Sequence, residues 1–204
     1  MPSPPVPFDA DDDVLEADSL LYRVASNGRP ITRFNPGVGS PTRFAFFGTP
    51  PVPVLYAADT AEAAFAESLL HDIPVSGGYL VYDSYSDSVM GRLIVGRDLR
   101  LASLRGLGLR RLGVEARQLT DTDASEYPHP VAWAKAAHGH GFDGLAWTSR
   151  RCNDARAVVL FGDRCADAIV QDETFGRFFQ SGQGLDWLID ACAPLHVDVL
   201  PPTD

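Results

Sequence analysis

Five side chains carry the chemistry this sequence offers: Arg23 in LLYRVA, Arg43 in NPGVGSPTRFAFF, Tyr56 in VLYAA, Glu67 in TAEAAFAESLLHD and Ser149 at the end of DGLAWTS. A guanidinium donates two parallel hydrogen bonds to a phosphate. A tyrosine ring offers a face to a planar group. A carboxylate held in a cavity steadies positive charge that develops in a reaction. Pro36 and Pro41 stiffen the stretch that bears Arg43, and Gly37 and Gly39 let a ligand approach its backbone. On a helix, Glu67 shares its face with Ala63, Ala64, Leu70 and His71, small enough in part to lie close to a sheet. Burying an acid there requires a cation or hydrogen bonds to compensate. Ser149 lacks the GxSxG context of a serine nucleophile. Taken singly, each residue also has a plain structural reading: a solvated arginine, a rigid turn, a core aromatic, a half-exposed glutamate. Their shared order along the chain gives them weight.

Those residues need strands, a loop and a helix to position them. LLYRVA (20–25) alternates as a strand and ends in a turn at Asn27-Gly28. Residues 30–53 are too rich in proline and glycine for a regular element, and a loop this long inside a compact domain is often functional. VLYAA (54–58) is a strand, and Asp59 or Thr60 caps a helix running to about His71. Further strands are predicted at 77–85, 91–96, 98–104, 143–149, 155–162 and 165–171, with helices at 129–141 and 184–193 and a helix or turn in LGLRRLGVEA. Many short strands with few helices between them point to a mixed α+β domain on split or packed sheets. Neither GxGxxG after a first strand nor a GxxxxGK[ST] loop occurs, so dinucleotide-fold and P-loop readings lose support. Residues 1–18 read as a disordered acidic arm, 19–170 as the domain, and 171–204 as an extension that packs on the core or meets a partner.

Composition narrows the partners. The 204 residues carry a net charge of -10, and Lys135 is the one lysine among 17 basic residues. That balance disfavours direct nucleic-acid binding, yet a few arginines gathered in a pocket still suit a small anion. Cys152, Cys165 and Cys192 form no zinc spacing, the HGH pair at His138 and His140 lacks a third ligand, and no metal is expected. No apolar run matches a membrane span and the start is not signal-like, so a cytoplasmic protein is expected. The acidic run at 9–13 could meet a basic partner or stay solvated.

The order of Arg, Arg, Tyr, Glu and Ser resembles the RES domain, whose members are toxins of bacterial toxin–antitoxin pairs with an Xre-like DNA-binding antitoxin. The matching stretches are LYRVA, FNPGVGSPTRF, VLYAADTAEAAFAESLLHD, YPHPVAWAKAAHGHGFDGLAWTSRR and AVVLF, covering roughly residues 19–170. At the family's glycine-rich turn this chain has Ser40-Pro41-Thr42. The resemblance implies an ADP-ribosyltransferase-like fold and NAD as substrate, broken down by hydrolysis or phosphorolysis, or used to transfer ADP-ribose to a protein. It implies Glu67, Arg43 and Ser149 as catalytic residues and Arg23, Arg43 and Tyr56 as binders of the dinucleotide. A non-catalytic NAD-binding module is the remaining alternative.

Overall fold

In the computed structural model, which describes residues 2–122 and 129–202, eight strands share one mixed sheet. They are β1 (Asp12–Leu15), β2 (Leu20–Ser26), β3 (Val54–Ala58), β5 (Ser88–Val95), β6 (Leu99–Leu104), β7 (Gly144–Thr148), β8 (Arg156–Phe161) and β9 (Ile169–Phe178). Two short strands, β4 (Gly78–Leu80) and β10 (Val197–Val199), pair parallel in a second sheet. The main sheet runs β1-β6-β7-β8-β3-β2-β5-β9. Only β6 and β7 pair parallel within it, which suits the long helical crossover between them.

The sheet is weakest at its middle. β2 pairs with β5 over its whole length, but with β3 its register is the single pair Tyr22–Ala58. The two strands therefore splay, and a cleft opens between a half bounded by β3 and a half bounded by β2. This is the mixed α+β, split-sheet architecture expected from the sequence.

Helices close the faces. α1 (Ala61–Leu69) is capped by Thr60, whose hydroxyl accepts the Ala63 N–H at 3.1 Å. α2 (Tyr82–Tyr85), α3 (Leu107–Arg111) and α4 (Ala116–Leu119) are single turns. α5 (Pro130–Gly139) begins on proline, whose missing N–H costs nothing in a first turn. α6 (Gly162–Cys165) is short, and α7 (Gly182–Cys192) is a full amphipathic helix. One core packs α5, through fully buried Trp133, against β7 and β8. Another joins α1 to α7 through Phe65, Leu188 and Cys192, with Phe65 edge-on to Trp187 at 5.7 Å.

Four expectations change. The arm at 1–18 is ordered: Phe8 is buried beside Trp133, the Trp133 Nε1–H donates to the Pro2 carbonyl, and β1 pairs with β6. Its acidic run is ion-paired within the chain: Asp9 and Asp11 pair with Arg111 and Asp12 with Arg100 at the surface, while buried Asp13 pairs with Arg105 and Arg156. These partners are remote in sequence, so local composition could not reveal them. The boundary at 170 falls inside β9, which belongs to the main sheet, and the chain beyond it packs on the core against α1, the first of its two expected roles. GGYLVYDSY is not one strand, since it turns into α2 after Leu80. Tyr127 and Pro128, which begin the YPHPVAWAKAA stretch, lie outside the described residues. Among the described residues no helix is long and apolar enough to cross a membrane.

Candidate active site

A cavity of about 760 Å³ fills the split between β2 and β3. Tyr22, Arg23 and Val24 line it from β2, Tyr56, Ala57 and Ala58 from β3, Glu67 and His71 from the α1 side, and Arg43 from the long loop. Trp147, Arg150 and Arg151 complete it from the end of β7 and the turn beyond. Arg23, Arg43, Tyr56 and Glu67 thus share one wall system although 44 positions of chain separate the first from the last.

Glu67 is held tightly. Ala63 and Ala64 are buried beneath its helix face, so α1 lies close on the sheet and the longer acid reaches the cleft. Ser149 Oγ donates to Glu67 Oε1 at 2.6 Å. Ser149 Oγ in turn accepts the backbone N–H groups of Arg151 at 3.2 Å and Cys152 at 3.0 Å. Those two donors leave the hydroxyl one direction for its own proton, toward the carboxylate. Ser149 is buried, which suits a positioning hydroxyl and not an attacking one. Glu67 Oε2 makes no hydrogen bond among the described residues and is left for a ligand. Arg151 adds a second clasp, donating to the Ile73 carbonyl at 3.2 Å and to the His71 carbonyl. It thereby ties the segment just past α1 to the turn after β7.

The cationic side is built differently. Arg43 donates through Nη2 to the Thr122 carbonyl at 3.2 Å, and Arg150 Nη1 lies 3.5 Å from the same oxygen. Tyr56 serves the loop: its hydroxyl accepts Thr42 Oγ1–H at 3.0 Å and the Phe44 N–H at 2.9 Å, fixing both neighbours of Arg43. Its ring packs edge-on to Trp147 at 6.1 Å. Arg23 faces the cavity, but both its hydrogen bonds leave Nη1 for the Ile31 and Arg33 carbonyls, at 2.7 and 2.8 Å. Burial pushes its pKa down to about 10, so it remains a cation at neutral pH.

The cleft between the splayed strands thus gathers Arg23, Arg43, Tyr56 and Glu67, with Ser149 hydrogen-bonded to the acid. The family model described as the RES domain matches residues 20–179, which is most of the chain. This chain belongs to the RES domain family. Its match runs past the sequence-based boundary to the end of β9, in agreement with the strand's place in the sheet. The RES domain seen here is similar in structure to a chain of the M. tuberculosis MbcT-MbcA toxin-antitoxin complex, with a TM-score of 0.55 and 17% identity over 78% of this chain and 84% of that one. No curated protein matches it in sequence.

Sequence reasoning missed Arg150, Arg151, Trp147 and Tyr22. The doubled arginine directly after a strand end, TSRR, was the available signal for the first two. Trp147 and Tyr22 sit in apolar strand context and gave none. The indole N–H of Trp147 is buried with no acceptor among the described residues. His71 has Nε2 at 3.1 Å from Asp72. The HGH histidines stand apart, with His138 paired to Asp163 and His140 bonded to the Ala136 carbonyl.

Proposed function

We propose that this RES domain is a toxin enzyme that consumes NAD by cleaving the bond between nicotinamide and ribose, through hydrolysis or phosphorolysis. The observation that carries the reading is Glu67, braced by Ser149 and Arg151 in a cleft otherwise rich in arginine. Breaking the bond sends its electron pair to the ring nitrogen, so nicotinamide leaves neutral and needs no strong acid. The ribose carbon gains oxocarbenium character, as in glycoside cleavage. A fixed carboxylate beside that carbon stabilises the charge without reorganising during the reaction. Water then adds as hydroxide and releases a proton, or phosphate adds through one oxygen to form a sugar phosphate. Arg43 and Arg23 hold the pyrophosphate and Tyr56 offers its ring to the nicotinamide. Membership in the family and a structural neighbour from a toxin-antitoxin complex support an antitoxin partner, which we assign to the Xre-like class.

The test is to mix purified chain with NAD, with and without phosphate, and identify products by mass spectrometry, using Glu67→Ala as control. NAD loss that requires Glu67 establishes the enzyme, and ADP-ribose or its phosphate ester distinguishes the two nucleophiles. Intact NAD in both buffers overturns the reading. ADP-ribose label appearing on a lysate protein would then identify a transferase, and its absence a binding module. A pull-down from the native host is expected to recover an Xre-like protein.

A further inference from the structure

Arg23 divides two cavities. Beyond the reactive cleft, on its other side, lies a second hollow of about 460 Å³, lined by Arg23, Arg29, Arg33 and Asn35 together with apolar Phe34 and Pro36. The long loop forms a wall of both, with Pro36 and Val38 facing this hollow and Ser40 to Arg43 facing the cleft. The charges that line it are of one sign, for no aspartate or glutamate is among them. Asp87 approaches only through the hydroxyl of Ser26, at 3.3 Å.

Elsewhere many of the arginines meet a carboxylate. Arg92, Arg97, Arg100, Arg105, Arg111 and Arg156 each have a carboxylate within reach. In a chain with 27 acidic residues, carboxylates are plentiful, yet Arg23, Arg29 and Arg33 have no ion pair among the described residues. Arg23 is bonded to backbone carbonyls alone, so no carboxylate cancels its charge beside either cavity. The loop backbone that carries Arg33 is set by those same bonds, by the Asn35–Val54 bridge and by Asn35 Oδ1, which accepts the Gly37 and Val38 N–H groups. Exposed arginine side chains on a fixed backbone can close on an anion at little cost to the fold, and the volume is that of a small-ligand site.

We propose that Arg29 and Arg33, with Arg23 between the two cavities, form a subsite for a phosphate group. The phosphate belongs either to a dinucleotide whose reactive end lies by Glu67 or to free inorganic phosphate. The first source rests on the NAD reading above, and the second does not.

Calorimetric titration of the full chain in a Glu67→Gln background, where turnover is blocked, distinguishes them, with NAD and inorganic phosphate as separate probes. The double substitution Arg29→Ala/Arg33→Ala is expected to weaken at least one probe by roughly tenfold or more, the scale of a lost charge-assisted contact. Arg29→Lys/Arg33→Lys should recover part of that loss, which a distorted loop would not allow. Weakening of phosphate alone assigns the free ion, and weakening of NAD assigns the dinucleotide. Unchanged affinity for both probes, or failure of the parent chain to bind either, overturns the subsite. If phosphate binds through these arginines but the wild-type chain consumes no NAD, the subsite stands and the NAD reading falls. If NAD is consumed and the double variant binds both probes normally, the subsite alone falls.

Discussion

The two walls of the cleft are built on opposite principles. The acid stands on a capped helix laid over the sheet, and both clasps that hold it come from one turn after β7, through Ser149 and Arg151. Arg43 of the facing wall rides on a loop without a strand of its own, fastened through Tyr56 and through the loop carbonyls that Arg23 of β2 holds. The acid wall fixes a side-chain atom, whereas the cation wall fixes a backbone and leaves its side chains reach. A group that must sit against one reacting carbon tolerates little displacement. A phosphate presents several equivalent oxygens, so its cations can adapt. Acid-wall changes should therefore act on kcat, and cation-wall changes on KM.

The largest effect is expected for Glu67→Gln, which keeps shape and loses charge. Steady-state kinetics should show kcat falling by about 10²–10³-fold or more with KM little changed. Next is Ser149→Ala, which removes the 2.6 Å bond and leaves the Arg151 and Cys152 N–H groups without their acceptor. Denaturant unfolding should report a loss of about 1–3 kcal/mol, with kcat reduced and KM held. Arg151→Ala should cost about 1 kcal/mol and raise hydrogen exchange at the C-terminal end of α1 specifically. If exchange rises evenly along the chain, the clasp does not act locally.

Tyr56→Phe tests the other wall. Losing the acceptor of Thr42 and Phe44 frees the backbone on both sides of Arg43, and a loss of about 1 kcal/mol in binding raises KM roughly fivefold. A kcat loss matching that of Ser149→Ala would erase the division between the walls. The smallest effect belongs to Asp172, on β9 outside both walls. The Thr174 hydroxyl, then the Thr174 N–H, then Arg92 hold its carboxyl down at about 2. Because the folded value lies below the unfolded 3.8, its contribution is complete above that pH and disappears as pH falls through about 2. Melting curves of wild type and Asp172→Asn should differ slightly at neutral pH and converge near pH 2, with kcat and KM alike throughout.

Local pattern made much of this legible. The strand at Val54–Ala58, the cap at Thr60 and the helix bearing Glu67 follow from alternation, capping chemistry and helix formers, all set by neighbours in the chain. The ordered residues Arg23, Arg43, Tyr56 and Glu67 do line one cavity. The ordering of residues 1–18 was not legible, because Asp9 to Asp13 are neutralised by arginines about a hundred positions away. Nor was the role of Tyr56, whose ring drew notice while its hydroxyl braces the loop.

By itself the sequence determined the central strands, the helix bearing Glu67 and which few residue types are available for chemistry, since propensity, periodicity and residue type act over short range. Tertiary structure decided that β2 and β3 splay, that Ser149 and Arg151 reach back 82 and 80 positions to brace α1, and that Arg23 separates two cavities. Those outcomes depend on which strands become neighbours and which donors meet buried carbonyls, and such pairings are chosen when the whole core closes.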